Sequence, residues 1–416
     1  MKNLFRDYAR LMSQYPAPLA FGFLHTFLSS PGQTFFIALF VGSLSAHLGL
    51  SAGEMGGIYL LGTLASAGFL TFLGHWIDRI DLRLFAGAST VGLGLACLLM
   101  ASANTVPLAI AAIVLLRLTG QGLMTHIEAT ATARYFGRDR GTALSLTGMG
   151  ISLGEGVLPL MAVALIGVIG WQSTYAAVGF AILLAGLPLS QALLVRRSEF
   201  SKPASHGAGP RPTLRNGAAT VARSRFFWLA LLLFLYMPFT STALLFHIET
   251  VANHKVWPLE LVASAFTLYA VMNAVGLLVS GRLVDHFTAL RITPLLLVPF
   301  LLSLCLTAST SHWSALFLLL AATGLTAGFL KTVLTALWVE LFGVTNVGAI
   351  RALATTLMVA GTAGGPAVLG YAMDWGVSIN TILWTLAVVG GIASLLAGIA
   401  VRLELTPPAG RAACNS

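Results

Sequence analysis

The chain has 416 residues, of which 57% are hydrophobic and 9% charged, whereas soluble domains carry roughly 25% charged residues. That balance excludes a water-soluble enzyme. The net charge of +9 does not point to a nucleic-acid partner, because the basic residues fall in short clusters between apolar runs rather than in one patch.

In chain order, Met1 to Pro18 carries Lys2, Arg6 and Arg10 and runs into a full-length apolar stretch without a small-residue cleavage site. It reads as a retained segment on the inner membrane surface, not as a removable signal. Apolar stretches able to cross a ~30 Å hydrocarbon core then recur at 19–46, 55–77, 84–103, 106–133, 142–169 and 174–195. They resume at 227–248, 261–284, 292–308, 313–339, 352–373 and 379–401. Between the two sets, 196–225 is rich in Pro, Gly, Ser and Arg and breaks the helical pattern. The pattern predicts an all-α membrane protein of twelve transmembrane helices: a six-helix bundle over 1–195, a cytoplasmic linker over 196–225, and a second bundle with a short tail over 226–416. Helices are the expectation because lipid requires every backbone polar group to be bonded internally and no barrel-like alternation is present.

The two sets are copies. Gly74-His75-Trp76-Ile77-Asp78-Arg79 returns 207 positions later as Gly281-Arg282-Leu283-Val284-Asp285-His286. Arg134-Tyr135-Phe136-Gly137 answers to Glu340-Leu341-Phe342-Gly343 at an offset of 206, and Arg140, Ala143 and Gly150 answer to Arg351, Ala354 and Gly361 at 211. Parallel repeats with a site between them near the bilayer midplane are what rocking transporters are built from. Of the 23 Lys and Arg, all but Arg117, Lys331 and Lys255 fall on the side of the termini. By the positive-inside rule both termini are expected in the cytoplasm, in a plasma or bacterial inner membrane.

These residues resemble the major facilitator superfamily over nearly the whole chain. The family's loop motif between spans 2 and 3, G-x-x-x-D-R-x-x-x-R, is matched by Gly74, Asp78, Arg79 and Arg83. The second copy keeps Gly281, Asp285 and a shifted Arg291. Tyr135-Phe136-Gly137-Arg138-Asp139-Arg140 with Ala143, Leu146 and Gly150 is similar to the signature entering span 5 of monocarboxylate and oxalate/formate porters. Drug antiporters of the superfamily have Gly-Pro in span 5 where this chain has Gly154-Glu155. The resemblance implies alternating access. The expected gate on the terminal side joins Asp78 to the start of span 11 near Arg351, and Asp285 to the start of span 5 near Arg140, since a carboxylate is favoured at a helix N-terminus and beside Arg.

Charges at bilayer depth cost at least ~2.5–3.5 kcal/mol on insertion scales and so face a cavity or a partner. Lys331 and Arg117 are candidates for holding an anionic substrate, and Glu155 or Glu128 for carrying a proton. The competing reading pairs Glu128 or Glu155 with Arg117 merely to join spans 4 and 5. Arg117, Gln121 and Glu128 share one helical face by spacing, with His126 nearly opposite. Gln33, beside Pro31-Gly32 in the middle of span 1, and Asn273 in span 8 read either as substrate hydrogen-bond partners or as interhelical bonds. Cys97, Cys305 and Cys414 have neither metal nor redox spacing. No metal or cofactor is expected, and no Walker motif suggests ATP-driven transport.

The expected function is secondary active transport of a small organic anion, a carboxylate in particular, coupled to protons and carried out by a monomer in the lipid bilayer. The alternative is a proton-driven exporter of drugs or amphipathic metabolites. A membrane enzyme using His126 and Glu128 is opposed by their facing opposite ways.

Overall fold

A computed structural model describes residues 2–136, 139–195, 224–342 and 347–405. The linker and the tail that close the two predicted bundles therefore lie outside the described residues. Within them the chain is helical and folds as the two six-helix repeats expected.

The first helix, Lys2–Gln14, precedes the spans and docks on the start of span 5: Arg10 pairs with Asp139 at 3.2 Å and Tyr8 Oη meets Ser145 Oγ at 3.1 Å. Its Leu11 is buried with Leu19, Phe136 and Ala143. Span 1 is broken. Pro16–Gly32 and Thr34–Leu48 meet at 42°, with a tight turn over Ser30–Gly32 and Gln33 in extended conformation (φ −86°, ψ 152°). Span 2 (Ala52–Leu73) starts on a capping box in which Ser51 Oγ accepts from Glu54 N–H while the Glu54 carboxylate accepts from Ser51 N–H. It tightens into a 3₁₀ turn over Gly74–Asp78. Span 3 is Leu82–Ala101, and span 4 runs over Val106–Phe136 with a π-helical stretch at Arg117–Met124.

Spans 5 and 6 have almost no loop between them. Helix occupies Arg140 to Ala181 on both sides of Gly170, where the chain turns from span 5 to span 6 at φ 79° and ψ 164°. That region of backbone space is open essentially to glycine alone. The second repeat follows as span 7 (Arg225–Phe246), a short far-side helix (Ile248–Lys255), span 8 (Leu259–Phe287), span 9 (Ala289–Ser309) and span 10 (Ser314–Phe342). Span 11 is Val347–Asp374 and span 12 is Ile379–Leu405. Counting bent span 1 once, and dividing the long fifth helix at Gly170, gives the twelve spans expected from the sequence.

Glycine sets the closest helix approaches. A Cβ on Gly324 would lie 2.2 Å from Tyr269 O, and one on Gly328 would lie 2.3 Å from Asn273 O, so spans 8 and 10 touch backbone to backbone one turn from Lys331. Gly150 approaches Phe23 O of span 1 in the same way, at 2.2 Å for a Cβ. Gly170→Ala is expected to cost about 1–3 kcal/mol through backbone strain; a lowered unfolding midpoint in detergent, against an unchanged Gly167→Ala control in open space, is the check.

Candidate functional site

The break in span 1 and the π stretch of span 4 face each other. A Cβ on Gly32 would fall 2.1 Å from Leu116 O, and one on Gly120 would fall 2.8 Å from Gly32 Cα, so neither element could approach with larger side chains. Arg117, 3% exposed, donates to Gly32 O at 3.3 Å, and its guanidinium lies 5.0 Å from the centroid of the Tyr59 ring. Tyr59 Oη in turn meets Thr34 Oγ1 at 2.6 Å, just beyond the break, and Gln33 donates to Ser29 Oγ at 3.2 Å. Spans 1, 2 and 4 are thereby tied around one irregular turn.

This arrangement differs from a pairing of Arg117 with Glu128 or Glu155. Arg117 and Glu128 stand about 16 Å apart along one helix, beyond the reach of a direct pair even on a shared face. Glu128 instead accepts a hydrogen bond from Thr147 Oγ1 of span 5. His126 reaches the Gly74 carbonyl at 3.2 Å and closes span 4 onto the end of span 2.

A second group of polar residues sits where the repeats meet. Glu155 of span 5 is 8% exposed and lies near the Asn273 side chain of span 8, while its Oε2 is buried without a hydrogen-bond partner. Lys331 of span 10 is exposed, and its charge acts on both Glu155 and Glu128. Tyr269, one helical turn from Asn273, lies within the field of the Glu155 carboxylate. Of the candidates read from the sequence, Glu155 lies near Asn273 and Lys331 is within electrostatic range of Glu155 and Glu128, while Arg117 and Gln33 belong to the broken turn. Tyr59, Thr147 and Tyr269 were not singled out in the sequence, where they are ordinary residues of apolar runs.

The repeats meet unevenly along the membrane normal. Among the described residues, the hydrogen bonds and ring contacts that join them lie at the level of Glu155 and Gly156 or beyond it, on the side away from the termini. Thr267 Oγ1 donates to Gly156 O at 2.7 Å, Gly42 N–H to Glu249 Oε2 at 3.0 Å, and Ser51 Oγ and Gly53 N–H to Asp374 Oδ2 at 2.7 and 2.9 Å. Phe246 packs on Tyr59 with centroids 4.6 Å apart, and Phe266 faces Phe35 at 6.3 Å. On the terminal side the contacts stay within one repeat. Asp78 pairs with Arg134, which also reaches Ile77 O, and Arg83 donates to Leu194 O at 3.2 Å. Asp285 and Arg140 are not joined, and the Arg351 side chain lies outside the described residues. Among the described residues, the hydrogen bonds and ring contacts that tie the repeats together are those of the far side.

The sequence profile of the Major Facilitator Superfamily matches residues 22–259 and 242–413. The chain belongs to this superfamily. A facilitator of this kind is a transporter that works by alternating access, not an enzyme. Solved structures agree on the fold. A bacterial homologue of the human lysosomal transporter Spinster, in an inward-facing and unoccupied conformation, superposes with a TM-score of 0.71 at 14% identity, covering 95% of this chain and 100% of that one. The nucleoside transporter NupG superposes with a TM-score of 0.72 at 13% identity over 94% of this chain and 99% of that one. No curated protein matches the facilitator's sequence. Removing the guanidinium that serves the broken turn, with Arg117→Met, is expected to cost the transporter about 1–3 kcal/mol by leaving Gly32 O unpaired in a buried site; chemical unfolding in detergent measures it.

Proposed function

We propose that this transporter carries a small organic anion, a carboxylate in particular, together with protons, and that Lys331 is the charge on which the anion rests. The observation that supports this is a single exposed lysine whose charge falls on two carboxyl groups of the opposite repeat. In the empty state Glu155 and Glu128 share the positive field of Lys331. An arriving carboxylate competes for that field, and each carboxyl that loses it gains reason to hold a proton. Anion and proton are thereby bound together, the coupling expected of a symporter. Glu155 is the stronger proton carrier on this reading, because its Oε2 has no protein partner, whereas Glu128 is held by Thr147. Asn273 orients Glu155 across the repeat boundary; Arg117 and Gln33 set the shape of the wall opposite.

The terminal side is the cytoplasmic one by the positive-inside distribution. The same side is closed, in the other half of the cycle, by Asp78 near Arg351 and Asp285 near Arg140, with Gly74, Arg79 and Arg83 completing the first loop. Asp78 waits on Arg134 in the present state. The repeat-equivalent of Arg134 is Glu340, which accepts from Ala289 and Leu290 N–H, so Asp285 has no counterpart of that partner and is available to Arg140. The transporter acts as a monomer, its six-span bundles joined through the 196–225 linker.

One observation favours a second reading. Two carboxyl groups against one lysine leave a negative balance at mid-depth if both ionise, which suits export of a cationic amphipath in exchange for protons. The two readings part at Lys331. Lys331→Ala is expected to abolish saturable anion uptake in reconstituted vesicles while folded yield is kept; unchanged anion affinity in this variant refutes the anion reading. Glu155→Gln is expected to remove proton-driven accumulation and spare substrate counterflow, which needs no net proton movement. Accumulation that keeps its dependence on the proton gradient moves the role to Glu128.

A further inference from the structure

We infer that Asp374 is the latch of the far side, with Glu249 as its smaller companion: carboxylates of the second repeat that hold the first repeat by its backbone rather than by a basic side chain. Asp374 ends span 11. Its Oδ2 accepts from both Ser51 Oγ and Gly53 N–H, so it sits at the N-terminus of 22-residue span 2, where backbone N–H groups lack helical partners and the helix dipole favours a negative charge. Span 2 already has its own capping box from Ser51 and Glu54. Asp374 is therefore not needed to finish the helix, and its contact adds only a tie between repeats. Glu249 makes the same kind of contact with Gly42 N–H in the outer part of span 1.

Both contacts require glycine on the first repeat. A Cβ on Gly53 would meet Asp374 Oδ2 at 2.5 Å, and one on Gly42 would meet Glu249 Oε2 at 2.3 Å. Either carboxylate would be pushed off by a methyl group. The same seam continues inward, where a Cβ on Gly56 would meet Pro366 O at 2.4 Å and one on Gly370 would meet Ala52 O at 2.3 Å. The surroundings contain no cation bonded to either acid among the described residues. Glu54 on span 2 faces its own Ser51, His247 is bound to Pro366 O at 2.8 Å, and Lys255 is engaged with the carbonyls of Thr307 and Thr310. Burial pushes the Glu249 carboxyl up, with the Gly42 N–H acting the other way. Asp374 accepts two bonds across the seam and Glu249 one, which gives the larger share to Asp374.

An N–H acceptor contact suits a latch that must open in every cycle. A buried ion pair would leave an unpaired cation on opening, whereas the N–H groups at a helix start are readily rehydrated. Asp374 is accordingly a positioning residue for the transport cycle, and it touches no substrate.

The experiment uses the full transporter in lipid nanodiscs, with Cys97, Cys305 and Cys414 replaced and spin labels at Thr105 and Ser311, on the far-side loops of the two repeats. Distance distributions are recorded for Asp374→Asn, Gly53→Ala, their double variant, Glu249→Gln and Glu54→Gln. Asp374→Asn and Gly53→Ala are each expected to raise the ratio of far-open to far-shut molecules about tenfold, the worth of a hydrogen bond to a charged group. The double variant is expected to fall short of the summed effects of the two, because both act on the Asp374 contact and Gly53→Ala adds only its pressure on Tyr371 Cδ1, 2.4 Å from the new Cβ. Glu249→Gln gives a smaller rise, and Glu54→Gln, which alters only the capping box within one repeat, gives none. Wild-type distances in both Asp374→Asn and Gly53→Ala, additive effects in their double variant, or an equal shift in Glu54→Gln overturn the assignment. Because Lys331 and Glu155 are untouched, the outcome is independent of the substrate reading.

Discussion

A helix that breaks inside hydrocarbon frees backbone groups that lipid cannot satisfy, and the first repeat is organised around one such break. Gln33 leaves helical geometry in the middle of span 1, and the exposed end of the inner segment is met from three directions: the Arg117 guanidinium on Gly32 O, the Gly120 backbone against Gly32, and the Tyr59 hydroxyl on Thr34 beyond the break. Each answer needs the others. Arg117 can reach the carbonyl because glycine at 120 lets span 4 come close, and its charge is tolerated at that depth because the Tyr59 ring lies beneath it. Along span 4, Arg117 turns to the break while Glu128, about three turns away, turns to Thr147 of span 5.

From that anchor the rest of the asymmetry follows. Spans 1, 2 and 4 are locked to one another, so the first repeat moves as a body, and what remains adjustable is the seam between repeats. Among the described residues that seam is made of glycine backbones, aromatic faces and a few polar contacts at its far end. The mid-depth acids and Lys331 lie below those contacts. A residue there changes its neighbours more than any other when one repeat rocks against the other, and this is where coupling chemistry has leverage.

Much of this was legible in the sequence, for physical reasons that differ from element to element. The twelve spans follow from apolar length alone, and the duplication from letters that recur at a near-constant offset. The irregularity in span 1 was readable from Pro31-Gly32 because both residues disturb helices locally, and the polar positions at mid-depth stood out because charge is so scarce in this chain. What could not be read was which of these groups meet. The partner of Arg117 is a carbonyl freed by the break in span 1 and brought near by the Gly32–Gly120 approach, which no side-chain pattern of span 4 announces. The near absence of a loop between spans 5 and 6 rests on a single backbone angle at Gly170. Asp374 and Glu249 look like ordinary acids at helix ends; their meaning comes only from the other repeat's backbone being brought opposite them.

The exchange of Arg134 for Glu340 between the copies gives the duplication a direction. In the first repeat the loop aspartate is bound at home, and in the second the equivalent position turns its charge to the start of span 9, leaving the loop aspartate unclaimed. Two copies of the first repeat joined in tandem would hold both aspartates in internal pairs, and two copies of the second would hold neither. The halves are therefore no longer interchangeable, although their folds still are. Whatever symmetric ancestor the chain descends from, divergence at this one pair of positions is enough to have made its descendant depend on having one copy of each kind.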